Sequence, residues 1–170
     1  REWIVFAPGV VSALYFSVQA VTEPGDEVLI STPVYGPFYH AVEESGRVVN
    51  RCPLKRRDGR YAFDFEEMER RVTPRTRALM LCSPHNPVGR VWTREELEEL
   101  GRFCLRHDLT VIADEIHSDL VFRPHTVFWN ALPEMEQRTI LCTAPSKTFN
   151  LAGIQASNII IPNEALRRRY

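Results

Sequence analysis

The sequence lacks the features that mark membrane-spanning and nucleic-acid-binding proteins. No apolar run in its 170 residues approaches the roughly 20 residues that a bilayer-spanning helix needs. The formal net charge of −1 provides no field that would attract nucleic acid or an anionic membrane. No signal peptide is recognisable and the first residue is not Met, so we expect the natural N-terminus to lie outside this sequence. The remaining composition is that of a soluble globular protein.

Cysteine is scarce and is not arranged in pairs. The four cysteines are Cys52, Cys82, Cys104 and Cys142, and the absence of any CxxC spacing argues against a zinc site. Cys82, Cys104 and Cys142 lie in apolar runs, which is typical of buried free thiols in a reducing compartment. The sequence therefore predicts no metal site and a cytoplasmic location.

Apolar, strand-like runs alternate with helical patterns along the chain. The predicted strands lie at residues 3–6, 27–32, 47–52, 77–82, 109–113, 139–143 and 157–161. Helices are predicted over 10–22, after Asp64, and from a capping box at Thr93 to about His107. Several strands are continuous apolar runs, which favours burial on both faces of a largely parallel sheet. We therefore expect an α/β fold with no linker that divides it into two domains.

Both ends of the chain are expected to be incomplete. The sequence starts within a strand-like run at residues 3–6 and stops within a helical pattern that begins near Asn163. We therefore expect residues 1–170 to be one part of a longer protein.

Candidate site residues follow the predicted strands, because ligands bind at the carboxyl ends of the strands in such sheets. Five strand ends carry a helix N-terminus at residues 9–11, the phenol of Tyr35, the amide of Asn86, the carboxylate of Asp114 and the amine of Lys147. Each has a commoner explanation when it is taken alone. A surface lysine, a helix cap, a turn asparagine and a packing tyrosine would account for them one by one.

Together these groups fit pyridoxal 5′-phosphate. This cofactor needs an amine for a Schiff base and a carboxylate beside its pyridine nitrogen, which Lys147 and Asp114 can supply. Asn86 can donate to the phenolate oxygen, and Tyr35 can stack on the ring. The N–H groups at the start of the helix after Gly9 can hold the phosphate, and the hydroxyl of Ser146 can assist them.

Three blocks of the sequence resemble one enzyme family. SPHNPVGRVW (83–92), ADEIHSDLVF (113–122) and SKTFNLAG (146–153) are similar to the signature blocks of fold-type I, class I/II aminotransferase-like enzymes that use pyridoxal phosphate. His85, His117 and the segment PVYGPFYHAVEESGR (33–47) resemble the cystathionine β-lyase (C–S lyase) branch, the MalY/PatB-type enzymes. The resemblance implies a three-layer, aspartate aminotransferase-like large domain with a mostly parallel sheet. Residues 1–170 would be its central part, without the N-terminal segment and the C-terminal small domain.

The resemblance also implies roles for eight residues. Lys147 would be the Schiff-base lysine and the base that removes the Cα proton, and Tyr35 would be the second catalytic residue, stacked on the ring. The other cofactor-binding positions would be the partner of the pyridine nitrogen, the partner of the phenolate oxygen, the apolar contact on the second ring face and three phosphate contacts: Asp114, Asn86, Ile116, Val10, Val11 and Ser146. His85 and His117 receive no role.

One position departs from the family pattern. Many of these aminotransferases carry a phosphate-binding arginine eight residues after the lysine, where this chain has Gln155. A neutral amide cannot replace a bidentate guanidinium, which favours the lyase branch.

Three functions remain open from the sequence. The first is a C–S β-lyase that cleaves cystathionine or a related β-thio amino acid to a thiol, pyruvate and ammonia. The second is an aminotransferase, and the third is a non-catalytic regulatory module with the same fold. The resemblance further implies an amino-acid substrate and a homodimer, and we expect an isolated 170-residue piece to be inactive.

Overall fold

The strands and helices follow the predicted alternation. The computed structural model describes residues 2–170, and the strands in this range are β1 (Ile4–Ala7), β2 (Glu27–Thr32), β3 (Val48–Pro53), β4 (Lys55–Arg57), β5 (Arg60–Ala62), β6 (Thr76–Cys82), β7 (Thr110–Asp114), β8 (Thr139–Thr143) and β9 (Ser157–Ile160). The α-helices are α1 (Val10–Val21), α2 (Pro37–Glu43), α3 (Phe65–Arg71), α4 (Arg94–Arg106), α5 (Phe128–Ala131) and α6 (Glu164–Arg169). Short 3₁₀ helices span Pro133–Arg138 and Ala152–Ile154.

Seven strands form one sheet in the order β1-β9-β8-β7-β6-β2-β3. Five neighbouring strands of this order are mutually parallel, from β8 through β7, β6 and β2 to the edge strand β3. Strand β9 is antiparallel to both β8 and β1. The expectation of a mostly parallel sheet is therefore confirmed, with an antiparallel strand next to one edge. The hairpin β4–β5 stands apart as a second, two-stranded sheet.

Helices cover both faces of the large sheet and make a three-layer arrangement. The sheet residues alternate between two apolar clusters, so that in β6 Ala78 and Met80 face one side while Leu79 and Leu81 face the other. The first cluster includes Leu14 of α1 and the helix α2, and the second includes the helices α3, α4 and α5. This double burial is why the central strands read as continuous apolar runs.

The local signals for the helices are present in the structure. The capping box of α4 is formed by Thr93 and Glu96, and Asp64 accepts a hydrogen bond from the backbone N–H of Glu67 at the start of α3. Asn163 caps α6 by accepting from the N–H of Leu166. The four cysteines are buried free thiols, as predicted for Cys82, Cys104 and Cys142.

Gly101 lets α4 approach the segment after α5. A Cβ atom added at Gly101 would lie 2.8 Å from Leu132 Cδ2 and 3.3 Å from Leu132 Cβ. Alanine favours a helix over glycine by about 1 kcal/mol, but overpacking a dense core costs about 1–3 kcal/mol. We therefore expect Gly101→Ala to lower the free energy of unfolding by about 1 kcal/mol in urea titrations of the full-length protein. The control Glu99→Ala, on the exposed side of the same helix, should change it by less than about 0.5 kcal/mol. A Gly101→Ala variant that is more stable than the parent would contradict this account of the contact.

The part of the chain that the structure describes lacks two kinds of feature. None of the helices in residues 2–170 combines the length and the apolar character needed to cross a membrane. In the same range, no three or more His, Cys, Asp and Glu side chains are grouped so that they could hold a metal ion.

Candidate functional site

One pocket of about 360 Å³ lies where α1 begins and the parallel strands end. Its walls come from segments that are far apart in the sequence, because the carboxyl ends of parallel strands meet at one edge of the sheet. All eight residues that the sequence singled out line this pocket: Val10, Val11, Tyr35, Asn86, Asp114, Ile116, Ser146 and Lys147.

The N-terminus of α1 forms one wall. Gly9 precedes the helix with φ at 90°, a left-handed value that residues with a Cβ rarely adopt. The first turn of α1 contains no acidic residue, and the first N–H groups of a helix have no intrahelical acceptor. The free N–H groups and the positive end of the helix dipole therefore make this wall suited to an anion.

Asp114 ends the central strand β7 and is buried in the sheet. Its residue pairs in register with Cys82 of β6 and with Cys142 of β8, and only 5% of it is exposed. The carboxylate Oδ1 accepts a hydrogen bond of 3.1 Å from the N–H of Ile116. Burial raises the pKa of Asp114 to about 7, and the neighbouring charge of Lys147 acts in the opposite direction. A cationic group bound in the pocket would therefore lower the pKa of Asp114 again and favour its ionised form, with which the cation can pair.

Lys147 lies in the turn that follows β8. The turn is held by hydrogen bonds from Phe149 N to Pro145 O and from Leu151 N to Ser146 O, both 2.9 Å. Thr148 Oγ1 donates to Asp119 Oδ2 at 2.8 Å, which joins this turn to the segment after β7. Nζ of Lys147 forms no ion pair within residues 2–170, so its amine is available to a ligand.

Tyr35 and Asn86 are brought together by their backbones. The N–H of Tyr35 donates to the carbonyl of Asn86 at 3.1 Å, and the N–H of Asn86 donates to Cys82 Sγ at 3.3 Å. Burial raises the pKa of the Cys82 thiol to about 12, so the thiol keeps its proton and donates it to Pro84 O at 3.3 Å. The turn that presents Asn86 is thus built around a buried thiol.

The two histidines of the signature blocks occupy different places. His117 lines the pocket, and burial, together with the charge of Lys147, lowers its pKa. His85 does not line the pocket. It is 2% exposed and lies behind the Asn86 turn, where burial also lowers its pKa.

The pocket also contains residues that the sequence did not single out as ligands. Ser12 and Cys82 line it. Ser12 lies in the first turn of α1 and Cys82 is the last residue of β6, and these positions in the sequence could have identified them as candidate site residues. Gln155, the residue at the family's arginine position, lines the pocket as well. Its Oε1 is 3.7 Å from where a Cβ on Gly9 would be, which places the amide beside the N-terminus of α1.

The segment that follows β7 contains a buried acid–base pair next to the pocket. Glu115, which follows Asp114, is 2% exposed. Its Oε2 lies 2.6 Å from Nε2 of His125, and its Oε1 accepts from the N–H of Phe128 at 2.9 Å. Both carboxylate oxygens are therefore used to tie the segment after β7 back to the start of α5.

The layered α/β fold and a pocket with an amine, a buried carboxylate and a helix N-terminus define a class of cofactor-binding enzyme folds. The chain matches the family "Aminotransferase class I and II" over residues 1–170, and it belongs to that family. The fold class expected from the sequence and the resemblance to this family are both confirmed.

Individual relatives include lyases and aminotransferases. The chain is 51% identical over 172 residues to cystathionine beta-lyase PatB of Bacillus subtilis (strain 168), an alignment that covers 99% of this chain and 44% of that protein. It is 37% identical over 162 residues to kynurenine--oxoglutarate transaminase 3 of Mus musculus, covering 90% of this chain and 36% of that protein.

A solved structure is similar over the same extent. The crystal structure of cystalysin from Treponema denticola, which contains a pyridoxal 5′-phosphate cofactor, has a TM-score of 0.94 and 45% identity. That similarity covers 99% of this chain and 43% of the cystalysin chain. The chain thus spans less than half the length of these relatives.

Proposed function

We propose that the protein containing this chain is a pyridoxal phosphate-dependent C–S β-lyase. The observation that carries the proposal is that Lys147, Asp114 and the N-terminus of α1 line one pocket. The 51% identity to a cystathionine β-lyase supports the lyase reaction. As the chain covers less than half of that relative, the proposal is for the intact protein.

The residues present fit the cofactor. An unpaired amine, a buried carboxylate and an anion-binding helix end are the three groups that the aldehyde, the pyridine nitrogen and the phosphate require. In the proposal Lys147 would bind the cofactor covalently, and Asp114 would ionise and keep the ring nitrogen protonated. Ile116 would pack on the ring, Tyr35 would stack on it, and Asn86 would donate to the phenolate oxygen. Val10, Val11 and Ser146 would hold the phosphate, and Gln155 lines the same pocket.

The proposed reaction uses Lys147 as the base. Once bound, the cofactor provides a sink for the electron pair that a departing Cα proton leaves behind. The Cα proton of the amino acid would move to Lys147 Nζ. The electron pair that it leaves behind would then form the second bond between Cα and Cβ, as the Cβ–S bond breaks with its own pair on sulfur. The sulfur takes up a proton and leaves as a thiol. Addition of water to the remaining carbon skeleton releases pyruvate and ammonia.

The test is a product analysis of the full-length enzyme. With cystathionine as sole substrate, we expect homocysteine, pyruvate and ammonia in equal amounts. With a keto acid and an amino acid that lacks a β leaving group, we expect at least about tenfold slower turnover, equivalent to a difference of about 1.4 kcal/mol in activation free energy. Free thiol and pyruvate are followed in the first assay, and amino-group exchange in the second.

An aminotransferase is the second candidate, because the chain is also similar to a kynurenine transaminase. Fast amino-group exchange without thiol release would establish this candidate and exclude the lyase. Covalent binding of the cofactor without turnover in either assay would instead support a non-catalytic regulatory module.

We further propose that the intact protein is a cytoplasmic homodimer in which the remaining chain supplies an N-terminal segment and a C-terminal small domain. Residues 1–170 would then be the central part of the large domain. Large apolar side chains stand exposed at Phe122, Phe149 and Ile154, and in the proposal the rest of the intact protein or its second copy would cover them. Sedimentation analysis of the full-length protein tests the dimer, and a monomer at micromolar concentration would exclude it.

A further inference from the structure

His85 is a buried polar side chain to which the proposed reaction gives no role. Its residue is 2% exposed, and its Nε2 lies 2.9 Å from the carbonyl oxygen of Pro33. A carbonyl only accepts, so Nε2 carries the hydrogen and donates it. The other ring nitrogen, Nδ1, is then an acceptor, and it is buried without a partner in residues 2–170. A buried nitrogen without a hydrogen-bond partner is unfavourable. Its presence therefore calls for an explanation, and the bond from Nε2 to Pro33 is the candidate.

The ring of His85 is held rigidly by the core behind it. Its edge meets Trp92 at right angles, with the ring centroids 5.5 Å apart. Trp92 is 1% exposed, stacks on Phe63 with centroids 4.0 Å apart and donates from Nε1 to the carbonyl of Cys82 at 3.0 Å. The backbone of His85 is bridged to Arg90. His85 therefore has a fixed position relative to the sheet.

The bond to Pro33 joins two loops that carry pocket residues. The loop after β2 contains Pro33 and Tyr35, and the loop after β6 contains His85 and Asn86. The second link between these loops is the hydrogen bond of 3.1 Å from Tyr35 N to Asn86 O. The two links are one or two residues apart on each loop, so they act together as a two-point clamp.

Tyr35 depends on this clamp because its side chain has little other support. The residue is 40% exposed, and its ring therefore takes its position from the backbone. Asn86 is held from its other side by Cys82 Sγ. Loss of the bond at Pro33 would leave the hydrogen bond from Tyr35 N to Asn86 O as the remaining link of the clamp. The loop that carries Tyr35 could then pivot about this single link, while Asn86 would keep its place on the sheet.

We propose that His85 is a positioning residue whose Nε2–H, bonded to Pro33 O, fixes the distance between Tyr35 and Asn86 across the mouth of the cofactor site. The clamp itself is a property of this chain, and its effect on catalysis rests on the proposed function. Burial lowers the pKa of His85, which favours the neutral ring, and Nε2–H can donate to Pro33 O in either charge state of the ring.

The test compares three variants of the full-length protein. His85→Leu removes the donor and fills the place of the ring with an apolar side chain of similar bulk. His85→Gln keeps an N–H donor at a similar distance from the backbone. His107→Leu is the matched control, since His107 pairs with Glu69 at 2.7 Å at the end of α4 and does not line the pocket.

The first measurement is hydrogen exchange at the Tyr35 amide, which reports the clamp without any cofactor. We expect His85→Leu to speed this exchange by about tenfold or more, His85→Gln to restore most of the protection, and His107→Leu to leave it unchanged. Unchanged exchange at Tyr35 in His85→Leu would overturn the proposal. So would equal loss of protection across the whole chain in His85→Leu, because it would show general destabilisation and no local clamp.

The second measurement is the visible circular dichroism of bound pyridoxal phosphate, together with kcat and KM. We expect His85→Leu to retain the covalently bound cofactor but to weaken its dichroism and to lower kcat by about 10- to 100-fold, since small displacements of positioned groups have effects of this size. Normal dichroism and kcat in a variant with fast Tyr35 exchange would overturn the catalytic part of the proposal. A wild-type protein that binds no cofactor would refute the proposed function, while the exchange experiment would still decide whether the clamp exists.

Discussion

Replacing Lys147 with alanine in the full-length protein is expected to abolish covalent binding of pyridoxal phosphate and to reduce turnover by about 10⁴-fold or more. The side chain has two roles in the proposed reaction, as the covalent anchor and as the base for the Cα proton. General base catalysis alone contributes about 10²–10⁴-fold, and loss of the anchor adds to it. The measurements are the visible absorbance band of the bound cofactor and the release of pyruvate from cystathionine.

The chain offers a matched control for this experiment. Lys55 is the only other lysine in the 170 residues, and its Nζ lies 3.5 Å from Asp64 on the surface. Lys55→Ala should keep both the band and the activity. Borohydride reduction of the wild-type protein with pyridoxal phosphate should fix the label on Lys147 and leave Lys55 unmodified. Label on Lys55 alone, or full activity in Lys147→Ala, would refute the assignment of Lys147.

Replacing Asp114 with asparagine is expected to leave the cofactor covalently bound and to slow removal of the Cα proton by about 10²–10³-fold. Removing one preorganised electrostatic group from an active site typically has an effect of this size. The amide is almost isosteric but cannot ionise, so it cannot hold a proton on the ring nitrogen. The measurement is the exchange of the Cα hydrogen for deuterium, followed by NMR. The substrate is an amino acid without a β leaving group, so this step is seen apart from the later loss of sulfur.

The control for Asp114→Asn is the same substitution at an aspartate that lies outside the pocket. Asp108 pairs with Arg138 on the surface at the other end of β7, and Asp108→Asn should leave the exchange rate unchanged. An unaltered exchange rate in Asp114→Asn would show that another group interacts with the ring nitrogen. Loss of cofactor binding in that variant would show that the carboxylate is needed to form the pocket.

The central strands could be predicted from the sequence because most of their side chains are buried, on both faces of the sheet. In β6, Ala78 to Cys82 are all apolar, since helices cover both faces of the sheet. The predicted bounds of β2 and β8 agree with the structure, β6 begins one residue earlier than predicted, and β7 is shifted by one residue at both ends. The helix ends were predictable where a side chain caps the backbone, as at Thr93 and Asp64. These signals are local, and they survive without knowledge of the tertiary structure.

What the sequence did not reveal depends on contacts between distant segments. The antiparallel direction of β9 and the place of β1 at the sheet edge are set by pairing across most of the chain. Helix α2 and the hairpin β4–β5 were not predicted, because seven-residue and three-residue elements carry little periodicity. For the site, strand ends led to the candidate residues, but the link from His85 to Pro33 could be found only in the structure. Their roles in binding and catalysis stay predictions.

The pairing of β1 with β9 has a consequence for how the protein is made. Ala7 and Ser157 are register partners, and Ser157 Oγ donates to Ala7 O at 2.8 Å across a separation of 150 residues. At about 5–20 residues per second, synthesis of these 150 residues takes roughly 8–30 seconds, and β1 waits on the ribosome for its partner strand during that time. Until then its apolar residues Ile4, Val5 and Phe6 have no strand to pair with. Helix α1, which follows β1, also packs on β6, β7 and β8, and these strands are all made before β9. We therefore expect a ribosome stalled before β9 to carry a chain in which α1 is already seated on the sheet while β1 is still unpaired, so that this edge of the sheet is completed late in synthesis.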